Sequence, residues 1–277
     1  MVSIHAGMGL CLGMMRLRII KMTKPKVGFY GITGCAGCLL SAIFNEDDIL
    51  PLTKIVDIVA FPFIKEKKDE SGFDIVFMEG LVASKEDLRV LKEIREKTKV
   101  LVSLGACACT GGVPAFRNFI QHDDYQRLVF HKRMKLEDLE PSPIDKHVKV
   151  EYYLPGCPPD KNEILTFIKD LALGKKPKRY DKPVCFECRL NKNKCFLDKG
   201  ELCLGPVTVG NCNSVCVNGG LVCWGCRGPT PDANFETLIS LLHEKGIDIV
   251  NIRDRMKAFV GLKLPEEEKK NEQDYKT

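Results

Sequence analysis

The 277-residue chain has no long apolar run, and its first residues lack the features of a leader peptide. Its longest apolar stretch, residues 55–64, is interrupted by Asp57 and Pro62 and is far shorter than the roughly 20 residues that a membrane-spanning helix needs. Residues 1–22 have no basic start, no cleavage site between small residues and no twin arginine. These absences predict a cytoplasmic protein without a membrane segment, in which residues 1–25 form an N-terminal extension.

Glycine and proline are too few for a collagen-like or low-complexity chain, and an apolar content of 44% excludes general disorder. Cysteine, by contrast, is abundant, with 14 residues. A secreted domain held together by disulfides would be much shorter than this chain. Since thiols inside cells stay reduced, clustered cysteines in such a chain indicate metal binding.

Short apolar segments alternate with helical periodicity in residues 26–174. The predicted strands are residues 26–32, 55–61, 73–78, 99–104 and 149–154. A helix is predicted over residues 84–98, because Ser84 is a good N-cap and acidic residues follow it. Continuous apolar strands that alternate with helices predict an α/β fold, a flavodoxin-like parallel sheet with helices on both faces.

The composition changes after residue 174 to lysine, proline, cysteine and glycine with little periodicity. Residues 175–262 are therefore predicted to form a smaller, irregular Cys-rich domain, which includes a C-terminal helix from residue 235 to 245. Residues 263–277 are predicted to be a polar tail. The mixed charges of residues 117–146 indicate an insertion in the first domain.

Cysteines follow three of the predicted strands. They lie in the segments Gly34-Cys35-Ala36-Gly37-Cys38, Gly105-Ala106-Cys107-Ala108-Cys109 and Pro155-Gly156-Cys157. Because parallel strands all end at one edge of a sheet, Cys35, Cys38, Cys107 and Cys157 are predicted to meet there and bind one metal centre. Cys109 is interpreted as an unligated buried thiol. Glu79 follows another strand at the same edge and is a candidate for handling protons or supporting the ligands there, with an ordinary loop acid as the alternative.

Eight more cysteines lie within about forty residues of the second domain, at Cys185, Cys188, Cys195, Cys203, Cys212, Cys216, Cys223 and Cys226. They divide into two sets of four, and four thiolates suit either zinc or a [4Fe–4S] cluster. Each set has only one Cys-x-x-Cys pair, whereas zinc ribbons use two. No histidine lies near these cysteines. The spacing therefore favours iron–sulfur clusters and keeps a zinc-organised binding module as an alternative.

These motifs resemble the small, electron-transfer subunit of nickel–iron hydrogenases. Their order along the chain matches that family: CAGC (35–38), EG (79–80), GACA (105–108), PGCPP (155–159) and LCLGPVTVGNC (202–212). The resemblance implies a proximal cluster on the four cysteines at the sheet edge. It implies a distal cluster on Cys185, Cys188, Cys195 and Cys203, and a medial cluster on Cys212, Cys216, Cys223 and Cys226.

Details of the second domain narrow the resemblance. Periplasmic members typically have His where Cys185 stands and Pro near Cys216, so the cysteines here imply three [4Fe–4S] clusters. The segments VCFECRL (184–190) and GCRGP (225–229) look most like delta subunits of cytosolic sulfhydrogenases, which are four-subunit, NAD(P)-linked oxidoreductases acting on hydrogen. Methanogen-type small subunits, which feed heterodisulfide reductase, are the nearest alternative.

The resemblance also implies the partners of this chain. The nickel–iron site and its ligands belong to the large (alpha) subunit, so this chain holds no catalytic residue except that Glu79 is a candidate for the proton path. Electrons would pass to iron–sulfur (beta) and flavin- and NAD(P)-binding (gamma) subunits. Nine Lys or Arg against three acids in residues 175–199 would suit a docking partner or a solvated surface. Nucleic-acid binding would leave the strand-end cysteines unexplained.

A third alternative is a quinone-linked relative of the small subunit of respiratory complex I. That family usually has a single cluster and adjacent cysteines at its first site. The eight-cysteine segment therefore counts against this interpretation.

Overall fold

Five parallel strands form the central sheet of the protein. The computed structural model describes residues 24–44, 50–66, 69–120 and 138–265. The strands in this part of the chain are β1 (Lys26–Gly31), β2 (Asp57–Ala60), β3 (Phe73–Glu79), β4 (Val82–Ser84), β5 (Thr98–Leu104), β6 (Asp138–Ser142) and β7 (Tyr152–Leu154). The sheet has the order β2-β1-β3-β5-β7, while β4 and β6 form a separate antiparallel pair. The predicted flavodoxin-like parallel sheet is confirmed.

Helices follow most of the strands and continue into the Cys-rich segment. They are α1 (Gly37–Ile43), α2 (Lys85–Glu96), α3 (Gly105–Thr110), α4 (Lys161–Ala172), α5 (Val184–Leu190), α6 (Val215–Asn218), α7 (Phe235–Glu244) and α8 (Ile249–Val260). Short 3-10 turns occupy Val113–Phe119, Ile144–Lys146, Gly205–Val207 and Gly261–Lys263.

Both faces of the sheet are covered by helices. Strand β3 is buried almost throughout, so Phe77 and Met78 point into different cores. Leu39 of α1 and Ile168 of α4 share the core of Phe77, whereas Leu91 of α2 shares that of Met78. This double burial explains why the strands read as continuous apolar runs rather than as alternating ones.

The start of α2 is fixed by a capping box. The Ser84 hydroxyl accepts from the Asp87 N–H, and the Asp87 carboxylate accepts from the Ser84 N–H. The same carboxylate also accepts from the N–H and the hydroxyl of Thr33, in the loop that leads from β1 to Cys35. The helix cap therefore also holds the first cysteine loop against the sheet.

Strand β7 begins at Tyr152, three residues later than the sequence predicted. The side chain of Glu151 accepts from the Leu101 N–H, while its own N–H donates to the Leu101 carbonyl. A carboxylate thus takes the place of a backbone acceptor and delays regular pairing. Helices α1, α3, α4, α5, α6 and α8 were not predicted individually. Of these, α1, α3, α5 and α6 have only four to seven residues, which is too short to show a helical period.

The Cys-rich segment has a hydrophobic core of its own. Leu204 and Val207 pack with Leu242 of α7 and Met256 of α8, and the thiol of Cys203 lies in the same cluster. Among the described residues, no helix is long and apolar enough to cross a membrane. Most of the predicted N-terminal extension, with Cys11, and nearly all of the polar tail lie outside the described residues, as do residues 121–137 of the predicted insertion.

Candidate metal centres

The four strand-end cysteines come together at the carboxyl edge of the sheet. Cys35 and Cys38 stand at the start of α1, Cys107 lies on α3, and Cys157 follows β7. Burial, then the Glu79 carboxylate and the other three thiols, raises the pKa of the Cys38 thiol. Burial and the nearby thiols of Cys157 and Cys35 raise the pKa of Cys107 to about 12. The predicted first set is therefore a real spatial cluster.

Glycine is required where two of these loops meet. Gly105 has a φ of +87°, and a Cβ at this position would collide with the Sγ of Cys38. Gly112 has a φ of +53°, and its Cβ would lie 3.0 Å from the Sγ of Cys107. Only a residue without a side chain allows the backbone to pass so close to the sulfur atoms.

Glu79 lies at the end of β3, buried beside this cluster. Its side chain is 2% exposed, and its Oε1 makes no hydrogen bond within the described part of the chain. Burial raises the pKa of its carboxyl, and a hydrogen bond from the Ala36 N–H partly opposes that rise. A buried carboxyl that has a free oxygen and faces thiols is a reasonable proton donor or acceptor.

The thiols of the other two predicted sets also lie near one another, and the two sets adjoin. Cys185 and Cys188 lie one turn apart on α5. Burial, then the thiols of Cys203, Cys188 and Cys195, raises the pKa of Cys185 to about 12. In the other set, burial and the thiols of Cys212, Cys157 and Cys216 raise the pKa of Cys226 to about 12.

The set of Cys212, Cys216, Cys223 and Cys226 lies between the other two. Cys226 interacts electrostatically with Cys157 of the sheet-edge set, whereas Cys223 interacts with Cys203 of the α5 set. Cys212 is flanked by the carboxylate of Glu187 and the guanidinium of Arg227, which act on its pKa in opposite directions after burial has raised it.

Clustered thiols of this kind suit a cationic metal group. Burial is the main cause of their raised pKa values, and the neighbouring thiols raise these values further because each thiolate would destabilise the next without a counter-charge. A bound metal cluster reverses this balance and deprotonates its ligands. Within the described ranges, no three His, Cys, Asp or Glu side chains are close enough to hold a single metal ion.

Cys109 is separate from the three sets. It is buried on α3, and its sulfur exchanges hydrogen bonds with the hydroxyl and the carbonyl of Ser103 at 3.3 and 3.4 Å. Burial raises the pKa of its thiol. These contacts are those of a buried core residue. The sequence interpretation of Cys109 as a buried thiol agrees with them.

Two residues at these centres were missed by sequence reasoning. Arg227, directly after Cys226, has a buried guanidinium that pairs with Glu163 of α4. Glu187, between Cys185 and Cys188, accepts from the backbone N–H groups of Asn211 and Ser214 on either side of Cys212. The only sequence signal was their position next to a cysteine.

The predicted basic face of residues 175–199 is partly neutralised by acids. Lys175, Lys176 and Lys178 line a cleft of about 620 Å³ whose walls also include Asp160 and Asp170. The positive charge therefore does not form a uniform surface in this part of the protein.

Known proteins are similar to this chain in both sequence and fold. Residues 35–171 match the family described as NADH ubiquinone oxidoreductase, 20 Kd subunit. The sulfhydrogenase 2 subunit delta of Pyrococcus furiosus is 37% identical over 222 residues, which cover 79% of this chain and 92% of that protein. The chain belongs to the small subunits of nickel–iron hydrogenases.

Further relatives of this family agree. A vhu subunit of the F420-non-reducing hydrogenase of Methanocaldococcus jannaschii is 30% identical over 275 residues, covering 87% of this chain and 95% of that protein. A chain in the crystal structure of an NAD+-reducing [NiFe]-hydrogenase in the H2-reduced state superposes with a TM-score of 0.51 at 32% identity, covering 57% of this chain and 96% of that chain. As a hydrogenase small subunit, the protein is part of an oxidoreductase.

The family match also shows which part of the chain resembles the small subunit of complex I. The residues shared with the 20 Kd subunit of NADH ubiquinone oxidoreductase begin at Cys35 and end at residue 171, before the Cys-rich segment. The hydrogenase relatives, by contrast, match over a longer part of the chain. The match thus includes four strands of the sheet and the four strand-end cysteines, but neither β1 nor the Cys-rich segment.

Proposed function

We propose that this chain carries electrons through three [4Fe–4S] clusters in a cytoplasmic, bidirectional hydrogenase of the sulfhydrogenase type. The observation that carries the proposal is the arrangement of twelve thiols in three adjoining sets, with one set between the other two. Bound clusters supply one-electron redox centres whose potentials depend on burial, charge and hydrogen bonds to sulfur.

The protein's own residues would hold and tune these centres. Cys35, Cys38, Cys107 and Cys157 would ligate the proximal cluster; Cys212, Cys216, Cys223 and Cys226 the medial cluster; and Cys185, Cys188, Cys195 and Cys203 the distal cluster. Gly105 and Gly112 let the backbone pass close to the sulfur atoms of Cys38 and Cys107. Each set combines buried or half-buried thiols with one or two exposed ones: Cys35 and Cys157 in the proximal set, Cys216 in the medial set and Cys195 in the distal set.

The proposed partners follow from the order of the three clusters along the path of electron transfer. The sheet edge would face a nickel–iron large (alpha) subunit, and the segment around α5 would face the iron–sulfur (beta) and flavin- and NAD(P)-binding (gamma) subunits. Phe186 and Leu190 of α5 are 48% and 67% exposed, and apolar side chains beside a redox centre suit a docked protein. Glu79 would exchange a proton near the alpha subunit.

Iron and acid-labile sulfide analysis of the anaerobically purified protein tests this function. Three [4Fe–4S] clusters predict about twelve iron and about twelve sulfide per chain. Stoichiometric zinc without sulfide would instead support a zinc-organised module and overturn the proposal. Copurification with a nickel-containing subunit tests the partner.

A matched pair of variants tests the ligand assignment. Cys107→Ser should lower the iron content by about a third, because one of three clusters loses a ligand. Cys109→Ser lies on the same short helix and should keep the full iron content. Equal losses in both variants would contradict the assignment of the proximal ligands.

A further inference from the structure

A buried ion pair joins the sheet unit to the Cys-rich segment. The side chains of Arg227 and Glu163 are 2% and 14% exposed. The two terminal nitrogens of the Arg227 guanidinium donate to the two oxygens of the Glu163 carboxylate, each at 2.8 Å. Arg227 Nη1 also donates to the carbonyl of Pro155 at 2.7 Å, and Asn211 Nδ2 donates to Glu163 at 2.7 Å.

The residues that make these contacts lie next to cysteines of two different sets. Arg227 directly follows Cys226, and Asn211 directly precedes Cys212, whereas Pro155 lies two residues before Cys157. The ion pair therefore attaches two segments of the proposed medial set to the last loop of the proposed proximal set. That loop is held from its other side by the Ala106 N–H, which donates to the Gly156 carbonyl at 2.8 Å.

The loops held in this way bring cysteines of the two sets together. The thiols of Cys157 and Cys226 lie close enough to interact electrostatically. The proposed medial set in turn contacts the proposed distal set, because the N–H of Cys223 donates to the sulfur of Cys203 at 3.3 Å.

Stability alone is a weak reason for this ion pair. Removing two charges from water costs about as much as their attraction returns, so buried pairs are often no better than apolar residues. A two-pronged guanidinium–carboxylate contact does, however, fix direction and distance far better than an apolar contact. The pair is therefore better explained by the position it enforces.

We propose that Arg227 and Glu163 are positioning residues that hold the Cys157 loop beside Cys226, so that electrons would cross between the proximal and medial clusters at this contact. This inference rests on the proposed function. With clusters bound, each crossing would transfer one electron from the reduced cluster of one set to the oxidised cluster of the other, and no covalent bond would form or break.

Substitutions in the complete hydrogenase complex test the proposal. Arg227→Gln removes the charge, and Arg227→Lys keeps the charge but loses the two-pronged contact. The magnetic interaction between reduced proximal and medial clusters, measured by electron paramagnetic resonance, should weaken in both variants. Electron transfer through the complex should slow severalfold, while the interaction between medial and distal clusters stays as in the wild type.

Arg95 provides a matched control. It pairs with Glu151 at 3.0 Å and donates to the Thr98 carbonyl at 2.8 Å, so its contacts are of the same kind. It lies at the opposite edge of the sheet, where β5 begins. Arg95→Gln should leave both the magnetic interaction and the transfer rate unchanged.

Iron and sulfide contents separate the outcomes. A wild-type complex without iron and sulfide would overturn the proposed function itself. If the wild type holds its clusters and Arg227→Lys keeps the full magnetic interaction, only the positioning role is overturned. If Arg227→Gln loses iron, the double variant Arg227→Gln/Glu163→Gln replaces it in the test, because it buries no lone charge. The magnetic interaction between the proximal and medial clusters should be weakened in this double variant. A magnetic interaction as strong as in the wild type would overturn the proposal.

Discussion

Glu79 differs from the other buried side chains at the sheet edge because it is a carboxyl without a counter-charge. Its Oε1 has no hydrogen-bond partner in the described ranges, and only the Ala36 N–H opposes the effect of burial. Burying a carboxyl that has no counter-charge costs free energy, and an apolar residue would fill the same space at a lower cost. A function of this carboxyl would explain why it is present. Its position beside Cys38 and Cys107 supports the proposed role in proton exchange.

Glu79→Gln should separate that role from a structural one. Glutamine keeps the shape and can accept from the Ala36 N–H, but it cannot take up or release a proton. We expect normal iron and sulfide contents, together with a severalfold loss of hydrogen–deuterium exchange by the hydrogenase complex. Glu151→Gln, at the far edge of the sheet, is the control. Unchanged exchange in Glu79→Gln would rule out the proton role.

At the scale of elements, the N-terminus of α2 does more than begin a helix. The Asp87 carboxylate accepts from the N–H groups of Thr33, Ala83 and Ser84, and from two hydroxyls. Asp160, at the start of α4, accepts from two N–H groups of its own helix and, among the described residues, from no other segment. One aspartate therefore joins three chain segments, whereas the other caps a single helix.

Asp87→Ala should destabilise the protein more than Asp160→Ala. Loss of a helix cap costs about 1 kcal/mol. Each buried N–H left without an acceptor adds about 1–3 kcal/mol. We therefore expect a loss of about 1 kcal/mol for Asp160→Ala and at least twice that for Asp87→Ala, measured by urea unfolding of the full chain. Equal losses would show that the contacts to Thr33 contribute nothing.

The whole molecule combines two regions that are stabilised differently. The sheet is held by parallel ladders and by two apolar cores on its faces. In residues 191–234, by contrast, the regular structure of the described chain consists of the one-turn helix α6 and a 3-10 turn. Cysteine sulfurs also form part of the core there, so bound metal would supply much of its order.

Removal of iron should therefore loosen one region before the other. After anaerobic chelation, limited proteolysis of the full chain should cut within residues 184–226 severalfold faster than in the iron-loaded chain. Fragments that contain β3 and β5 should persist, because their packing needs no metal. Mass spectrometry of the fragments identifies the sites. First cleavage within the sheet would contradict the idea that metal organises the Cys-rich segment.

Features that depend on local periodicity could be predicted from the sequence. Apolar runs ending in glycine and cysteine predicted the parallel sheet and the cysteines at its edge, because strand type and strand ends are written in neighbouring residues. The Cys-x-x-Cys spacing likewise predicted that Cys185 and Cys188 lie together, and one turn of α5 places them so. The late start of β7 could not be predicted, since it depends on a contact between Glu151 and Leu101.

The way in which the three cysteine sets adjoin depends on long-range contacts. The contact between Arg227 and Glu163 joins residues 64 positions apart, and no periodic pattern records such a pair. The approach of Cys157 to Cys226 likewise depends on how the sheet edge packs against the Cys-rich segment. Local patterns specify which residues can bind metal, whereas long-range packing specifies which of them lie next to each other.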